Sequence, residues 1–332
     1  MTIAARGSVD ALIVGAGPAG AYLAYLLARQ GVCVGIIEKS QIPRDKVCGG
    51  GVSRKAIDLL EFDITPVVHH WITGANLRFQ GYPSVSKDID PPVGCTVVRR
   101  QFDAFLLEQA RAAGAHFFAE TTFIDLTKKH ETVEVQTDRG TFECRLVVGA
   151  DGVGSNVRAK VFGKHIVNYV PALETLVPIS SAAEARFEHR VVFDFDAIPR
   201  GYGWIFPKRD HLNFGVYSPI GGRRLREYLA AFVARQPELR APAQLKVSGF
   251  PIPVQNIRGL FQADRVWLLG DAAGLADGLF GEGIYFALKS ASLAAQALGD
   301  MLRERADVRF GQRQPPGVQL RDEHRPELLH HR

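Results

Sequence analysis

The chain has 332 residues, of which 46% are hydrophobic and 23% are charged, and its formal net charge is +5. This length predicts about two domains, and the scattered Lys and Arg residues form no basic patch interleaved with aromatic residues, which argues against nucleic-acid binding. No apolar stretch reaches the ~20 residues that a membrane-spanning helix needs. We therefore expect a cytoplasmic protein without a nucleic-acid partner, and the basic charge is compatible with peripheral contact with an anionic membrane.

The cysteines and paired histidines show no metal-binding pattern. Cys33, Cys48, Cys95 and Cys144 are widely spaced and form no Cys-x-x-Cys pair, so neither a zinc site nor a disulfide framework is indicated. The pairs at 69–70 and 330–331 lack accompanying ligands, and we interpret them as surface histidines. We expect no bound metal.

Residues 10–38 have the pattern of a βαβ unit and are the most informative stretch of the chain. A short apolar strand at 11–14 enters a glycine-rich turn, a helix follows over 21–30, and a second apolar strand covers 32–37. This succession of strand, glycine turn, helix and strand is the context that a dinucleotide-binding fingerprint requires.

Each glycine of this turn has a distinct physical role. Gly15 allows the tight turn, Gly17 lets the backbone approach a pyrophosphate, and Gly20 lets the helix pack closely on the strand. The free N–H groups of the helix N-terminus then face the diphosphate. Glu38 lies eighteen positions after Gly20, where a carboxylate is expected to accept a ribose hydroxyl. The unit alone does not distinguish NAD from FAD.

A polar loop at 43–53 follows, ending in three consecutive glycines, and a helix is expected from Arg54 to Leu60. The glycines allow the backbone to pass close to something flat or crowded, although an ordinary flexible loop has the same composition. Cys48 immediately precedes them. A buried cysteine that only packs is the alternative to a functional thiol at this position.

Residues 72–98 contain short alternating segments, consistent with strands of a second sheet. A helix then begins near Arg99 and continues to Arg111, with an apolar stripe that includes Phe102 and Leu106. Arg99 near the helix start is suited to clamping a phosphate, and a solvated arginine is the alternative. From His116 to Arg145 the pattern predicts a strand and then a hairpin that turns near residues 138–140.

Two further strands end at aspartates followed by glycine-rich turns. The first delivers Asp151 into a turn where Ser155 is placed to cap a short helix that carries Arg158. The second ends at Gly270 and Asp271, and a helix is expected to run from Ile284 to about Leu302. Ligands of open α/β sheets bind beyond the carboxyl ends of the strands, so three strand ends converge on one dinucleotide.

Between these two stretches, a strand at 191–196 precedes a hairpin formed by 202–207 and 212–217. Because side chains alternate across a strand, Tyr202, Trp204 and Phe206 share one face and form an aromatic wall. Ordinary sheet core is the alternative interpretation of this face.

Taken together, these motifs resemble, in order and spacing, those of para-hydroxybenzoate-hydroxylase-like flavoproteins, and the segments at 43–53 and 202–208 resemble the geranylgeranyl reductase family. The resemblance covers about residues 8–302. It implies an α/β fold with a Rossmann-type FAD-binding domain (1–160 and 256–302) and a discontinuous, α+β substrate domain with a β-sheet (161–255). Residues 70–98 are placed to contribute to the substrate sheet, and 303–332 are expected to form a disordered tail.

The resemblance also implies site residues. FAD is the expected cofactor, with Asp271 at its ribityl-pyrophosphate portion and the helix after Ile284 stabilising negative charge on the flavin by up to ~2 kcal/mol. The expected FAD-binding residues are Gly15, Gly17, Pro18, Ala19, Gly20, Glu38, Lys39, Arg44, Cys48, Gly49, Arg99, Asp151, Gly270, Asp271, Gly281, Gly283 and Ile284. The expected substrate-binding residues are Gly50, Tyr202, Trp204 and Phe206.

The activity implied by the resemblance is the reduction of carbon–carbon double bonds in a polyisoprenoid chain carried by a lipid, a diphosphate or a pigment precursor. Reducing an alkene also requires a proton, and Cys48 is the expected catalytic donor, with water or Tyr202 as the next candidate. NADPH, NADH or a ferredoxin-like electron-donor protein is the expected reductant. An aromatic monooxygenase or halogenase on the same scaffold and a flavin-binding protein without turnover are the alternatives.

Overall fold

The computed structural model describes residues 5–79, 82–163, 167–179, 187–220, 222–236, 244–256 and 259–303. The strands are β1 (Ala5–Val14), β2 (Val34–Ile37), β3 (Gly51–Ser53), β4 (Val68–Ile72), β5 (Gly74–Arg78), β6 (Val85–Asp88), β7 (Gly94–Val97), β8 (His116–Phe118), β9 (Phe123–Lys128), β10 (Val133–Thr137), β11 (Gly140–Gly149), β12 (Val167–Pro178), β13 (Arg190–Asp194), β14 (Tyr202–Pro207), β15 (His211–Tyr217), β16 (Val247–Asn256), β17 (Gln262–Ala263) and β18 (Val266–Leu268). The helices are α1 (Pro18–Arg29), α2 (Arg54–Ile57), α3 (Arg99–Ala112), α4 (Asn156–Val161), α5 (Leu225–Ala234), α6 (Gly270–Ala273) and α7 (Ile284–Arg303).

The first sheet contains the predicted βαβ unit. Its path is β17-β18-β11-β1-β2-β8, with the hairpin strands β9 and β10 attached beside β11. The strands from β18 to β8 along this path are parallel, and the segment 11–14 of β1 is fully buried because both faces of the sheet are covered. Helices α1, α3 and α7 pack on one face around Leu23, Leu106 and Leu288. The carboxyl ends of β1, β11 and β18 therefore lie at one edge.

The second sheet has the order β16-β12-β15-β14-β13-β5-β6. One face packs against α5, where Ile205, Phe214 and Phe232 form a buried cluster. The other face carries a separate cluster that includes Tyr202, Trp204 and Tyr217. The alternation along β14 thus places the predicted aromatic residues on the face away from α5. Strands β5 and β6, from residues 74–88, belong to this sheet.

A small third sheet has the order β3-β7-β4. Val52 and Val97 pack into the core beside the first sheet, and the Thr96 hydroxyl donates to the carbonyl oxygen of Pro207 in the second sheet at 2.6 Å. The third sheet pairs the last glycine of the 49–51 run with Thr96 of β7. The helix expected over 54–60 is confirmed at its start, but it ends at Ile57. All four cysteines are free thiols, and the histidines at 69–70 are half-buried beside Lys208 instead of lying on the surface. No helix among the described residues is long and apolar enough to cross a membrane. Of the predicted tail, only Arg303, the end of α7, is described.

Candidate functional site

A cavity of about 1170 Å³ extends from the carboxyl ends of β1 and β11 to the aromatic face of the second sheet. Pockets for drug-sized ligands have volumes of ~300–1,000 Å³, so this larger cavity has room for a dinucleotide and part of a second molecule. Of the residues predicted to bind ligands, all line the cavity except Gly20 and Gly270. The structure therefore brings nearly all of the predicted site residues to one place.

Close packing within the glycine turn explains why Gly20 does not line the cavity. A Cβ at Gly20 would lie 2.0 Å from the carbonyl oxygen of Gly15, and a Cβ at Gly15 would lie 2.5 Å from that of Ala150. Gly20 is thus required for packing of α1 on β1. A Cβ at Gly17 would lie 4.0 Å from its nearest neighbour, Nη2 of Arg44. The backbone of Gly17 is therefore open to the cavity. Pro18 begins α1 directly after it.

Gly270 has a positive φ of 52°, and its Cβ would contact Ala19 at 3.2 Å. It turns the chain at the end of β18, and the residue after it, Asp271, is the one that lines the cavity. Burial raises the pKa of the Asp271 carboxyl, and the nearby Arg99, Lys46 and Arg158 oppose that rise. Asp271 is thus the acidic member of a mostly cationic group.

Glu38 is 6% exposed and holds the turn together. Its Oε2 accepts a hydrogen bond from Ala16 N at 3.0 Å, and its Oε1 accepts one from Ser40 N at 3.2 Å. Each carboxylate oxygen has a second lone pair, so Glu38 can still accept a ligand hydroxyl. The exposed Lys39 follows it at the cavity edge.

Arg44 and Arg99 are joined by an aspartate that the sequence analysis missed. Arg99 Nε and Nη2 donate to the Asp103 carboxylate at 2.7 and 2.9 Å, and Arg44 Nη1 lies 3.3 Å from the same group. Arg44 Nη2 is also 3.6 Å from Glu38. The i, i+4 spacing from Arg99 to Asp103 on α3 was a usable signal for this bidentate pair. The pair fixes both guanidinium groups at the cavity wall.

Asp151 caps α4 with its carboxylate. Its Oδ1 accepts from Ser155 Oγ at 2.5 Å and its Oδ2 from Asn156 N at 2.7 Å. Ser155 Oγ in turn accepts from Arg158 N at 2.9 Å, which confirms the predicted cap. The Arg158 guanidinium donates to the carbonyl oxygen of Ala272 at 2.8 Å. The second and third strand-end motifs are therefore joined directly.

The loop before α7 forms the wall opposite the first turn. Gly281, with φ of 65°, Gly283 and Ile284 line the cavity at the N-terminus of α7. Between the two glycines, Glu282 accepts from Ser53 Oγ at 2.5 Å and pairs with Lys55 at 2.6 Å. These contacts join the loop to the end of β3 and the start of α2.

The 49–51 glycines pass directly under two aromatic rings. A Cβ at Gly49 would lie 3.0 Å from Trp204 Nε1, and one at Gly51 would lie 2.9 Å from the Phe206 ring. Gly50 has φ of 65°, and its Cβ would lie 2.1 Å from the Val97 carbonyl oxygen. The expectation of something flat or crowded beside these glycines is confirmed. The flat neighbours are the Trp204 and Phe206 rings, and the Val97 backbone crowds Gly50.

Cys48 is half-buried and lines the cavity. Its Sγ accepts a hydrogen bond from Gly50 N at 3.4 Å, and its backbone N donates to Glu174 Oε1 at 3.3 Å. The segment at 48–50 is thus held by its own turn and by a buried carboxylate of the second sheet.

The aromatic wall lies above this segment. The rings of Tyr202 and Trp204 have centroids 6.1 Å apart, and those of Trp204 and Phe206 are 6.3 Å apart. Phe193 and Phe280 extend the wall. The Tyr202 hydroxyl donates to the Phe280 carbonyl oxygen, and burial raises the pKa of Tyr202 above its usual range. Tyr202 therefore keeps its proton, which is engaged with the backbone.

Four further polar residues near Cys48 were not identified from the sequence. Lys46 Nζ lies 2.8 Å from the centroid of the Phe250 ring, and burial, reinforced by Arg99, lowers the pKa of Lys46 to about 8. Glu174, Asn213 and Lys208 are buried in or beside the second sheet. A charged residue within an apolar strand was the available signal for Glu174, because such residues are almost never buried without partners.

A family model described as an FAD binding domain matches residues 8–168. The geranylgeranyl diphosphate reductase of the chloroplast of Oryza sativa subsp. japonica is 30% identical over 326 residues, covering 90% of this chain and 69% of the relative. The first match confirms the prediction of an FAD-binding domain, and the second confirms the resemblance to the geranylgeranyl reductase family.

Among solved structures, a geranylgeranyl bacteriochlorophyll reductase-like protein from Thermoplasma acidophilum superimposes with a TM-score of 0.76 at 24% identity, over 90% of this chain and 79% of that one. A probable FAD-dependent monooxygenase from Pseudomonas aeruginosa, pqsL, gives 0.72 at 22% identity, over 90% and 87% of the two chains. These likenesses confirm the predicted α/β, para-hydroxybenzoate-hydroxylase-like fold.

The cavity fits FAD on its own geometry. The backbone at Gly17 is open where a pyrophosphate is expected, the N-terminus of α1 faces it, and Arg44, Lys46 and Arg99 supply positive charge beside it. No group of three or more His, Cys, Asp or Glu residues suited to a metal ion occurs in the described part of the chain.

Proposed function

The chain belongs to the geranylgeranyl reductase family of FAD-dependent oxidoreductases, and from that premise we propose that it reduces isolated carbon–carbon double bonds of a polyisoprenoid chain. The observation that carries the proposal is the aromatic wall. It adjoins the Cys48 segment in the same cavity as the FAD-binding turn. The chain to be reduced belongs to a lipid, a diphosphate or a pigment precursor.

The lining of the cavity supports a hydrocarbon substrate. Beyond the Cys48 segment, the apolar and aromatic residues that line the cavity are Leu77, Phe79, Val191, Phe193, Phe195, Tyr202, Trp204, Phe206 and Phe280. The one hydroxyl in this set, that of Tyr202, is already donated to a backbone carbonyl. An aromatic hydroxylase substrate would leave its polar groups unpaired against such a surface, at a cost of ~1–3 kcal/mol each. An isoprenoid chain has no polar group to satisfy there.

The residues of the FAD-binding domain bind and orient the cofactor. Gly17 and the α1 N-terminus would hold the pyrophosphate, Glu38 would accept a ribose hydroxyl, and Arg99 and Asp271 would lie along the central portion. The N-terminus of α7 would stabilise negative charge on the flavin. When bound and reduced, FAD supplies the hydride that an alkene carbon receives.

The second sheet and the Cys48 segment bind the substrate and supply the proton. The aromatic wall excludes water and orients the chain, and Cys48 supplies the proton that the neighbouring alkene carbon requires. Cys48 lines the cavity, whereas the Tyr202 proton is engaged with Phe280 O, so Cys48 is the better placed of the two predicted donors. Electrons for each cycle come from NADPH, NADH or a ferredoxin-like protein, and the substrate is taken from solution or from a membrane surface.

Reoxidation of the reduced holoenzyme tests this function. The FAD-loaded protein is reduced with dithionite under anaerobic conditions and mixed with geranylgeranyl diphosphate or with a geranylgeranylated glycerolipid, while flavin absorbance is followed. The proposal predicts reoxidation by an unsaturated chain and none by its fully saturated analogue. In a parallel aerobic reaction with an added aromatic substrate, reoxidation coupled to hydroxylation of that substrate would instead indicate a monooxygenase, and a flavin that none of these substrates reoxidises would indicate a binding protein.

A further inference from the structure

Two buried charges of the second sheet lie behind the 48–50 segment. Glu174, on β12, is 9% exposed, and Lys208, just after β14, is 2% exposed. Burying a charge without partners is costly, so each is expected to have a fixed set of hydrogen bonds. Their partners are the backbone N–H of Cys48 and the carbonyl oxygens of Gly49 and Gly50, all in the segment that carries the thiol.

Glu174 uses both carboxylate oxygens. Its Oε1 accepts from Cys48 N at 3.3 Å, and its Oε2 accepts from Asn213 Nδ2 at 3.1 Å. Asn213 lies on β15, the neighbour of β12 in the sheet. The carboxylate thus joins the backbone of the thiol residue to the centre of the second sheet.

The network continues to the aromatic wall. Trp204 Nε1 donates to Asn213 Oδ1 at 2.7 Å. The same nitrogen would lie 3.0 Å from a Cβ at Gly49, so the indole and the segment also touch directly. A displacement of the Trp204 ring must therefore be transmitted to the Cys48 backbone, either through the hydrogen bonds or through the glycine contact.

Lys208 contacts the Gly49–Gly50 and Gly50–Gly51 peptide groups. Its Nζ donates to the carbonyl oxygens of Gly49 at 2.8 Å and Gly50 at 3.3 Å. The amide of the same Gly49–Gly50 peptide donates to Cys48 Sγ. Glu174 and Lys208 therefore act on either side of the thiol residue and limit the orientations it can adopt.

We propose that Glu174 is a positioning residue which, through Asn213 and Trp204, fixes the Cys48 thiol relative to the aromatic wall. Its catalytic consequence rests on the proposed function, in which Cys48 supplies the proton. The geometric claim concerns this chain alone and is tested without substrate. Glu174 acts through the backbone of Cys48, because the hydrogen bond that it accepts comes from Cys48 N and not from Sγ.

The test measures alkylation of Cys48 by iodoacetamide in the FAD-loaded protein, quantified by mass spectrometry of the Cys48 peptide. A Cys33→Ser background removes the exposed thiol, and buried Cys95 reports on unfolding. Glu174→Gln keeps the size of the side chain but replaces one acceptor with an NH2 group. We expect alkylation to be faster by about tenfold, the equivalent of ~1.4 kcal/mol. The matched control is the exposed Glu143→Gln, which should leave the rate unchanged.

A double-mutant cycle tests the connection to the wall. Trp204→Phe keeps a ring but removes the Nε1 donor, and Glu174→Gln is combined with it. If one network holds the thiol, the combined effect on alkylation is smaller than the product of the single effects. An unchanged alkylation rate in Glu174→Gln, or multiplicative effects in the double variant, would overturn the proposal. If Glu174→Gln fails to fold, shown by loss of FAD and fast alkylation of Cys95, Asn213→Ala replaces it in the cycle.

Turnover separates this proposal from the proposed function. In Glu174→Gln, kcat for alkene reduction should fall while KM and FAD content stay within about twofold, because binding and orientation of the prenyl chain are unchanged. A parent enzyme that reduces no alkene, together with the expected alkylation results, contradicts the proposed function and leaves the positioning role standing. Normal turnover in Glu174→Gln with an unchanged alkylation rate contradicts the positioning role alone.

Discussion

Lys208→Met should change how stability depends on pH. Lys208 is 2% exposed, and burial lowers its pKa from 10.5 to about 7. The titratable groups that face it are Cys48, Cys95, Glu174 and the histidines at 69–70. Above the folded pKa the native chain releases the proton that the unfolded chain still binds, so the free energy of unfolding of the parent rises with pH up to the unfolded pKa.

The magnitude follows from the two pKa values. Each unit of pKa difference is worth about 1.4 kcal/mol. Integrating the difference in bound protons from about pH 7 to about pH 9 gives about 2 kcal/mol of added stability for the parent. The Met variant lacks this contribution, and its loss of the hydrogen bonds to Gly49 and Gly50 is a constant offset that does not depend on pH. The quantity to compare is therefore the change in the stability difference between the two proteins.

Urea unfolding at a single saturating FAD concentration measures this quantity. The control is Lys87→Met on the edge strand β6, because the Lys87 side chain is exposed, and its curve should run parallel to that of the parent. Parallel curves for the parent and Lys208→Met over the same pH range would refute the reasoning, since they would mean that the buried amine keeps its proton throughout.

Three further substitutions test the assigned roles. Glu38→Ala should weaken FAD binding by ~1.5–3 kcal/mol, the range for a hydrogen bond to a charged group, as measured by fluorescence titration. Trp204→Ala should lower turnover of long prenyl substrates more than it lowers FAD content, because the proposed function places the indole against the prenyl chain and not against the nucleotide turn. Cys48→Ala should retain reducible FAD but lose about 10²-fold or more in alkene reduction, the low end for general acid catalysis, in single-turnover experiments.

For each of these three substitutions, one result would contradict the role assigned to the residue. An unchanged dissociation constant would exclude Glu38 from the FAD site. Parallel loss of FAD content, thermal stability and turnover in the Trp204 variant would mean that the wall is ordinary core. Single-turnover reduction by Cys48→Ala within a few-fold of the parent would exclude its thiol as the proton donor.

The nucleotide-binding half of the cavity could be predicted because its determinants are local. The glycines of the first turn, the cap at Ser155 and the strand ends before Asp151 and Asp271 are each specified within about ten residues of sequence, where glycine spacing and capping chemistry act directly. Arg99 and Asp103 could have been paired by their i, i+4 spacing on α3.

The contacts that Glu174 and Lys208 make with the Cys48 segment could not be predicted from the sequence in the same way. Glu174 contacts Cys48 across 126 positions of sequence, and Lys208 contacts Gly49 across 159. These contacts exist only once the third sheet has brought β3 beside β14, and no local spacing encodes them. The glycine run at 49–51 showed that something crowds the backbone there, but that Trp204 and Phe206 are the neighbours follows from the tertiary packing.

The most direct test of the central claim is the mass of the product. Reduced, FAD-loaded protein is incubated under anaerobic conditions with a geranylgeranyl substrate, and the extracted lipid is analysed by mass spectrometry. The account predicts a gain of two hydrogen atoms for every double bond reduced, absent when the protein is not reduced beforehand. Unchanged substrate after full reduction of the bound flavin, or a product that has gained oxygen when air is admitted, would contradict it.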